Sequence, residues 1–172
     1  MKTEIPWQTR AGSGTGFAKS GGTLEVNVTS STNVGSGEQD LHSYTLPANT
    51  LKTNKDRVVW EGFVQFAANS NSKTLRIKWG SVTTTTITSS NSDGLEIRFR
   101  FTIHRDGSNS QRLVREIYVD DTSGTFKPAD VAVLTASSQT DTSDIIMKCT
   151  ASAVSNSDIV QYTSHVEYHP AP

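Results

Sequence analysis

His165, Glu167 and His169 fall at alternate positions of HVEYH, so an extended strand would carry all three on one face, and imidazoles with a carboxylate are metal ligands by type. Alternate side chains on a strand stand about 7 Å apart, from a rise of about 3.3 Å per residue. The trio is therefore expected to be a solvated polar face, with an ion shared around an axis by three copies as the less favoured arrangement. Asp120, Asp121, Asp141 and Asp144 offer hard oxygens for calcium, but no DxDxDG loop is present and aspartate is an ordinary turn residue. Glu61 and Glu96 are an acid pair by type for glycoside cleavage, with nothing in their flanks to support it. GSGTG at 12–16 lacks the ending of a phosphate loop, and no serine lies in GxSxG. Cys149, the single cysteine, sits in the apolar run DIIMKCTA and is expected to be a small buried hydrophobe. These residues together predict no enzyme, no metal and no cofactor.

Whatever the polar residues do, strands must position them. From Thr23 onward the hydrophobic period is two. TLEVNVTS places Leu24, Val26 and Val28 on one side, and LEIRFRFTIHR places Leu95, Ile97, Phe99, Phe101 and Ile103 opposite Glu96, Arg98, Arg100, Thr102 and His104. Further strands are expected near 40–46, 57–68, 73–79, 81–88, 112–120, 130–137, 144–151 and 159–168, separated by turn material such as NSNS, SSNSDG and VSNSD. KPADVAVLTASS is the one segment with a competing helical start, but its β-branched residues favour a strand. Strands with one apolar and one wet face, joined by short turns, pack as two sheets. The expected fold class is all-β, an antiparallel two-sheet β-sandwich of jelly-roll type with an extended N-terminal arm.

The chain has 172 residues, a formal net charge of −1 and 19% charged residues of mixed sign. That length suits one domain, and that charge does not suit nucleic acid or an anionic membrane surface. Residues 1–22 form the expected arm, and 23–172 the domain. The arm contains Pro6, five glycines and few large apolar groups; Trp7 and Phe17 in such a segment suggest docking on a neighbour. The N-terminus lacks the apolar core of a secretory signal and no run spans a bilayer, so synthesis in a cytoplasm is expected.

Three blocks, GEQDLHSYTLPANTL, AANSNSKTLRIKWG and NSDIVQYTSHVEY, occur in an order that resembles a jelly-roll domain of tailed-bacteriophage virions. The resemblance covers roughly Gly37 to Tyr168. It implies a non-enzymatic homotrimer placed in the virion. One placement is a capsid decoration, or cement, protein that binds the major capsid protein through its arm, with Ile5, Trp7, Arg10 and Phe17 as the contacting residues. The alternative is a tail-fibre tip that recognises a host surface glycan. The chain has no heptads or shaft repeats, which favours the first.

Overall fold

The computed structural model of the chain describes residues 21–90, 93–120 and 125–172, apart from the side chains of 134–137. Their strands are β1 (Gly22–Asn27), β2 (Ser31–Thr32), β3 (Gln39–Leu46), β4 (Arg57–Phe66), β5 (Lys73–Trp79), β6 (Val82–Ser89), β7 (Leu95–Gly107), β8 (Ser110–Asp120), β9 (Lys127–Ser137), β10 (Ile145–Ala153) and β11 (Ile159–His169). Among the described residues there is no helix, and so none long and apolar enough to cross a membrane. The segment with the helical start is strand β9. The expected arm and its residues Ile5, Trp7, Arg10 and Phe17 lie outside the described residues, except that β1 already begins at Gly22.

All pairings are antiparallel. The larger sheet runs β1-β11-β4-β7-β8-β9, with β2 also paired to β11, and the smaller runs β3-β10-β5-β6. The buried faces of both contribute to one hydrophobic cluster, which includes Trp60, Val64 and Phe101 from the first and Leu46, Ile77, Trp79 and Met147 from the second. Two antiparallel sheets around a common apolar layer have the form of a β-sandwich. Cys149 is buried in that layer, and burial pushes its thiol pKa up.

Period two holds along β7, where Ile97, Phe99, Phe101 and Ile103 are buried. It fails along β1. The expected single face of Leu24, Val26 and Val28 is broken because Thr23 pairs with Glu167 and Glu25 with Val166, leaving Leu24 as an extra residue. A bulge of this kind reverses the faces beyond it. Leu24 still packs on the core, Val26 and Val28 are 62% and 74% exposed, and Glu25 points toward buried His42. The two approach to 3.1 Å (Oε2 to Nε2) without hydrogen-bond alignment.

Gly62 interrupts the run of large residues in β4 because the core has no room there. A Cβ would stand 2.3 Å from Phe99 Cζ and 3.1 Å from the Thr163 carbonyl oxygen. Gly62→Ala is expected to destabilise by about 1–3 kcal/mol, as for other overpacked cores. Urea unfolding measures this, and an unchanged midpoint would mean that Phe99 has another place to go.

Candidate functional site

The turns at one end of the molecule are held by polar side chains rather than by apolar packing. Asp158, in the β10–β11 turn, accepts from Asn69 Nδ2 at 2.7 Å, Asn71 Nδ2 at 3.0 Å and the Ser155 amide at 3.0 Å. Lys73 is fully buried beside it and donates to the carbonyls of Asn69 (2.6 Å) and Asn71 (3.0 Å). Asn33, also fully buried, accepts from the Ile159 amide and donates to the Ser155 carbonyl. Burial alone would raise the Asp158 pKa; the hydrogen bonds from Asn69, Ser155 and Asn71 and the charge of Lys73 outweigh it and hold the carboxyl below its usual value.

The opposite end uses the same device. Asp141 accepts from Arg105 Nε at 2.9 Å, the Asn109 amide at 2.8 Å and Gln111 Nε2 at 2.7 Å, and Asp144 accepts from the Ala48 amide at 2.8 Å. Asp56 takes the amides of Lys52, Thr53 and Ala171. Tyr168, buried and facing the Asp56 carboxylate to which it hydrogen-bonds, has its phenol pKa pushed up to about 12. Asp141 and Asp144 are thus turn clasps satisfied by N–H donors. Asp121 lies outside the described residues, as does GSGTG.

His165, Glu167 and His169 do share the outer face of β11. Glu167 lies 3.4 Å from His165 Nε2 and 3.2 Å from His169 Nε2, and all three are about one-third exposed. Among the described residues no group of three or more histidine, cysteine or acidic side chains is arranged to hold a metal ion. Glu61 and Glu96 are not brought together. Glu61 is paired to Arg100 at 3.0 Å, and Glu96 lies opposite Gln65, four residues along β4. At about 3.3 Å per residue that is roughly 13 Å, beyond the separations of about 5–9.5 Å that glycosidases use.

What register does assemble, and motif inspection missed, is an aromatic strip across the outer face of the larger sheet. Phe63, Arg98 and Tyr118 are consecutive cross-strand neighbours on β4, β7 and β8. A second bulge, between Gln161 and Thr163, displaces Tyr162 toward them. Its ring lies 5.7 Å from that of Phe63, tilted by 30°, and its hydroxyl is 2.9 Å from Gln65 Oε1. The Arg98 guanidinium carbon sits 4.1 Å from the centre of the Phe126 ring and 5.9 Å from that of Phe63. Beside the strip a depression of about 580 Å³ is bordered by Glu61, Arg100, Glu116 and His165. The signal that could have exposed the strip is phase: Phe63 and Tyr118 occupy the polar half of the alternation, in step with Glu61 and Glu116, where core packing asks for no aromatic.

At the far end of this face His169, Arg57, His104 and Arg112 lie side by side. Burial, then the charges of Arg57 and Arg112, lower the His104 pKa. On the other sheet, Glu38 accepts from Thr150 Oγ1 at 2.6 Å and pairs with Lys78 and Arg76. Its hydrogen bonds to Lys78 and Thr150 hold its pKa below the usual range. Protein-family models, curated proteins and solved structures were compared with the chain, and none matches it.

Proposed function

We propose that this chain is a non-enzymatic structural component of a bacteriophage virion, a homotrimeric jelly-roll knob that decorates the capsid and holds its coat lattice through the N-terminal arm. The observation that carries this reading is the convergence of the three blocks on which the resemblance rests. Glu38 of the first meets Arg76 and Lys78 of the second, and Asp158 of the third holds Asn69 and Asn71 of the second. Residues that are polar, scattered and without catalytic geometry thus form the joints of the fold, which is the role a shared architecture would require of them.

The strand pairing supports the jelly roll. With the β8–β9 hairpin set aside, β1 pairs with β11, β3 with β10, β4 with β7 and β5 with β6. This is the nested pairing obtained when one long hairpin is wrapped into two sheets. β1, the first described strand, lies at a sheet edge, so deletion of the residues before it is expected to leave the central pairings in place.

A trimer presenting three arms would bind by multivalency, because the second and third contacts are intramolecular. Binding only the assembled lattice would raise lattice stability by linkage. Deleting residues 2–20 is expected to leave a folded trimer, seen by size-exclusion chromatography with light scattering, that no longer decorates capsids in electron micrographs. A monomeric full-length chain would overturn the trimeric knob. Decoration retained by the truncated chain would remove the arm from the mechanism, and density on the tail instead of the shell would replace decoration with the fibre-tip role.

A further inference from the structure

We propose that the strip of Tyr162, Phe63, Arg98 and Phe126, with the depression beside it, is a binding site for a neutral saccharide, a function separate from attachment through the arm. Three observations on one face carry this. The aromatic groups are held by one another before any ligand arrives: the Tyr162 ring leans on Phe63 at 5.7 Å and its hydroxyl is tied to Gln65, and the Arg98 guanidinium carbon sits 4.1 Å from the centre of the Phe126 ring. A ligand that stacks there pays little side-chain ordering entropy. The strip crosses β11, β4 and β7 and continues to Phe126 beside β9, a length suited to a short run of sugar rings rather than to a single small molecule.

The depression is the second observation. Its volume of about 580 Å³ falls within the range of about 300–1,000 Å³ typical of ligand sites, and its two sides differ in chemistry. One offers Phe63 and Tyr118; the other offers the carboxylates of Glu61 and Glu116, the guanidinium of Arg100 and the imidazole of His165. Aromatic faces accept the apolar C–H side of a pyranose, while alternating acceptors and donors serve its hydroxyls.

Charge is the third, and it selects among partners. Arg98 and Arg100 are balanced by Glu61 and Glu116 in the lining. A single-stranded nucleic acid would also stack on aromatics, but it needs a positive groove along its backbone. A second copy of the chain packed here would bury the half-exposed Glu61–Arg100 pair in an interface core, where charged residues are depleted. A neutral, polyhydroxylated ligand is the chemistry that fits a charge-balanced, aromatic, solvated face.

Saturation-transfer NMR and titration calorimetry on the full chain test this, with linear oligomers of glucose, mannose, galactose and N-acetylglucosamine as probes and a heparin fragment and single-stranded DNA as charged comparators. At least one neutral oligomer is expected to bind. Arg98→Leu and Phe63→Ala should each weaken it about tenfold, the effect of losing one stacking contact of about 1.4 kcal/mol. If Phe63→Ala fails to fold, the exposed substitutions Arg98→Leu and Tyr162→Ala decide the matter. The proposal is overturned if no neutral oligomer binds, if heparin or DNA is preferred, or if Arg98→Leu binds as the unaltered chain does. Because the measurement uses isolated protein, it succeeds or fails independently of capsid decoration.

Discussion

Replacing Asp158 by alanine is expected to destabilise the fold by about 3–5 kcal/mol, the usual cost of removing one partner from a buried charged network. The substitution strands the side-chain donors of Asn69 and Asn71 and the Ser155 amide. It also removes the negative charge that acts on the fully buried Lys73 ammonium, which keeps the carbonyl oxygens of Asn69 and Asn71. Lys73→Met should be costly for the complementary reason. The double variant should be less destabilised than the sum of the two, because an apolar pair leaves no orphaned charge. Denaturant unfolding of the four proteins measures this, and strict additivity would show that Lys73 and Asp158 do not act as a unit.

The same site has a pH signature. The Asp158 pKa is depressed in the folded chain, whereas the unfolded chain binds that proton near the ordinary value of about 4. Its stabilisation is therefore fully present above about pH 4 and is lost as pH falls through the lower folded value. Stability of Asp158→Ala should fall less steeply than that of the unaltered chain across that window. Glu38, also depressed, contributes with the same sign in both proteins and so cancels from the comparison.

Trp60→Ala is expected to cost a similar amount, about 3–5 kcal/mol. The indole is 1% exposed, meets Phe99 edge-on at 5.3 Å and 77°, lies 6.2 Å from Phe101, and donates from Nε1 to Ser164 Oγ at 2.8 Å. Truncation removes the packing and leaves a buried hydroxyl without its partner. For a domain of this size the loss should lower the melting temperature by roughly 6–20 °C. Trp60→Phe keeps the ring contacts and loses the hydrogen bond, so it should fall between. A shift under about 3 °C for the alanine variant, less than that of about 1 kcal/mol, would mean that the two sheets close over the void.

Much of the architecture was legible in the chain because alternation is a local property. Glu96 to His104 face outward and Ile97 to Ile103 inward along β7 for the reason visible in LEIRFRFTIHR: a pleated strand sends successive side chains to opposite faces. The same rule misplaced Val26 and Val28, since a bulge at Leu24 depends on how β1 meets β11 and leaves no mark in TLEVNVTS itself. The 31–32 bridge to β11 was too short to carry a period at all.

The polar residues were harder still. HVEYH was visible as one face of a strand, and β11 does present it so, but its consequence depends on what stands opposite. Asp141 and Asp144 resembled calcium ligands by type, and only the approach of Arg105 from β7, Gln111 from β8 and the backbone amides of Asn109 and Ala48 shows that their oxygens are already engaged. Phe63, Arg98 and Tyr118 lie 35 and 20 residues apart and share no motif; they are neighbours because β4, β7 and β8 pair in one register.

By itself, then, the sequence determined an all-β chain with one wet face per sheet and no catalytic motif, because periodicity and turn chemistry act over a few residues. The tertiary structure alone decided which outward-facing side chains became adjacent, which carboxylates were consumed as clasps and where bulges such as those at Leu24 and Tyr162 turned residues over. Those outcomes depend on backbone hydrogen bonds between segments far apart in the chain, and a one-residue change of register would have exchanged one face for the other.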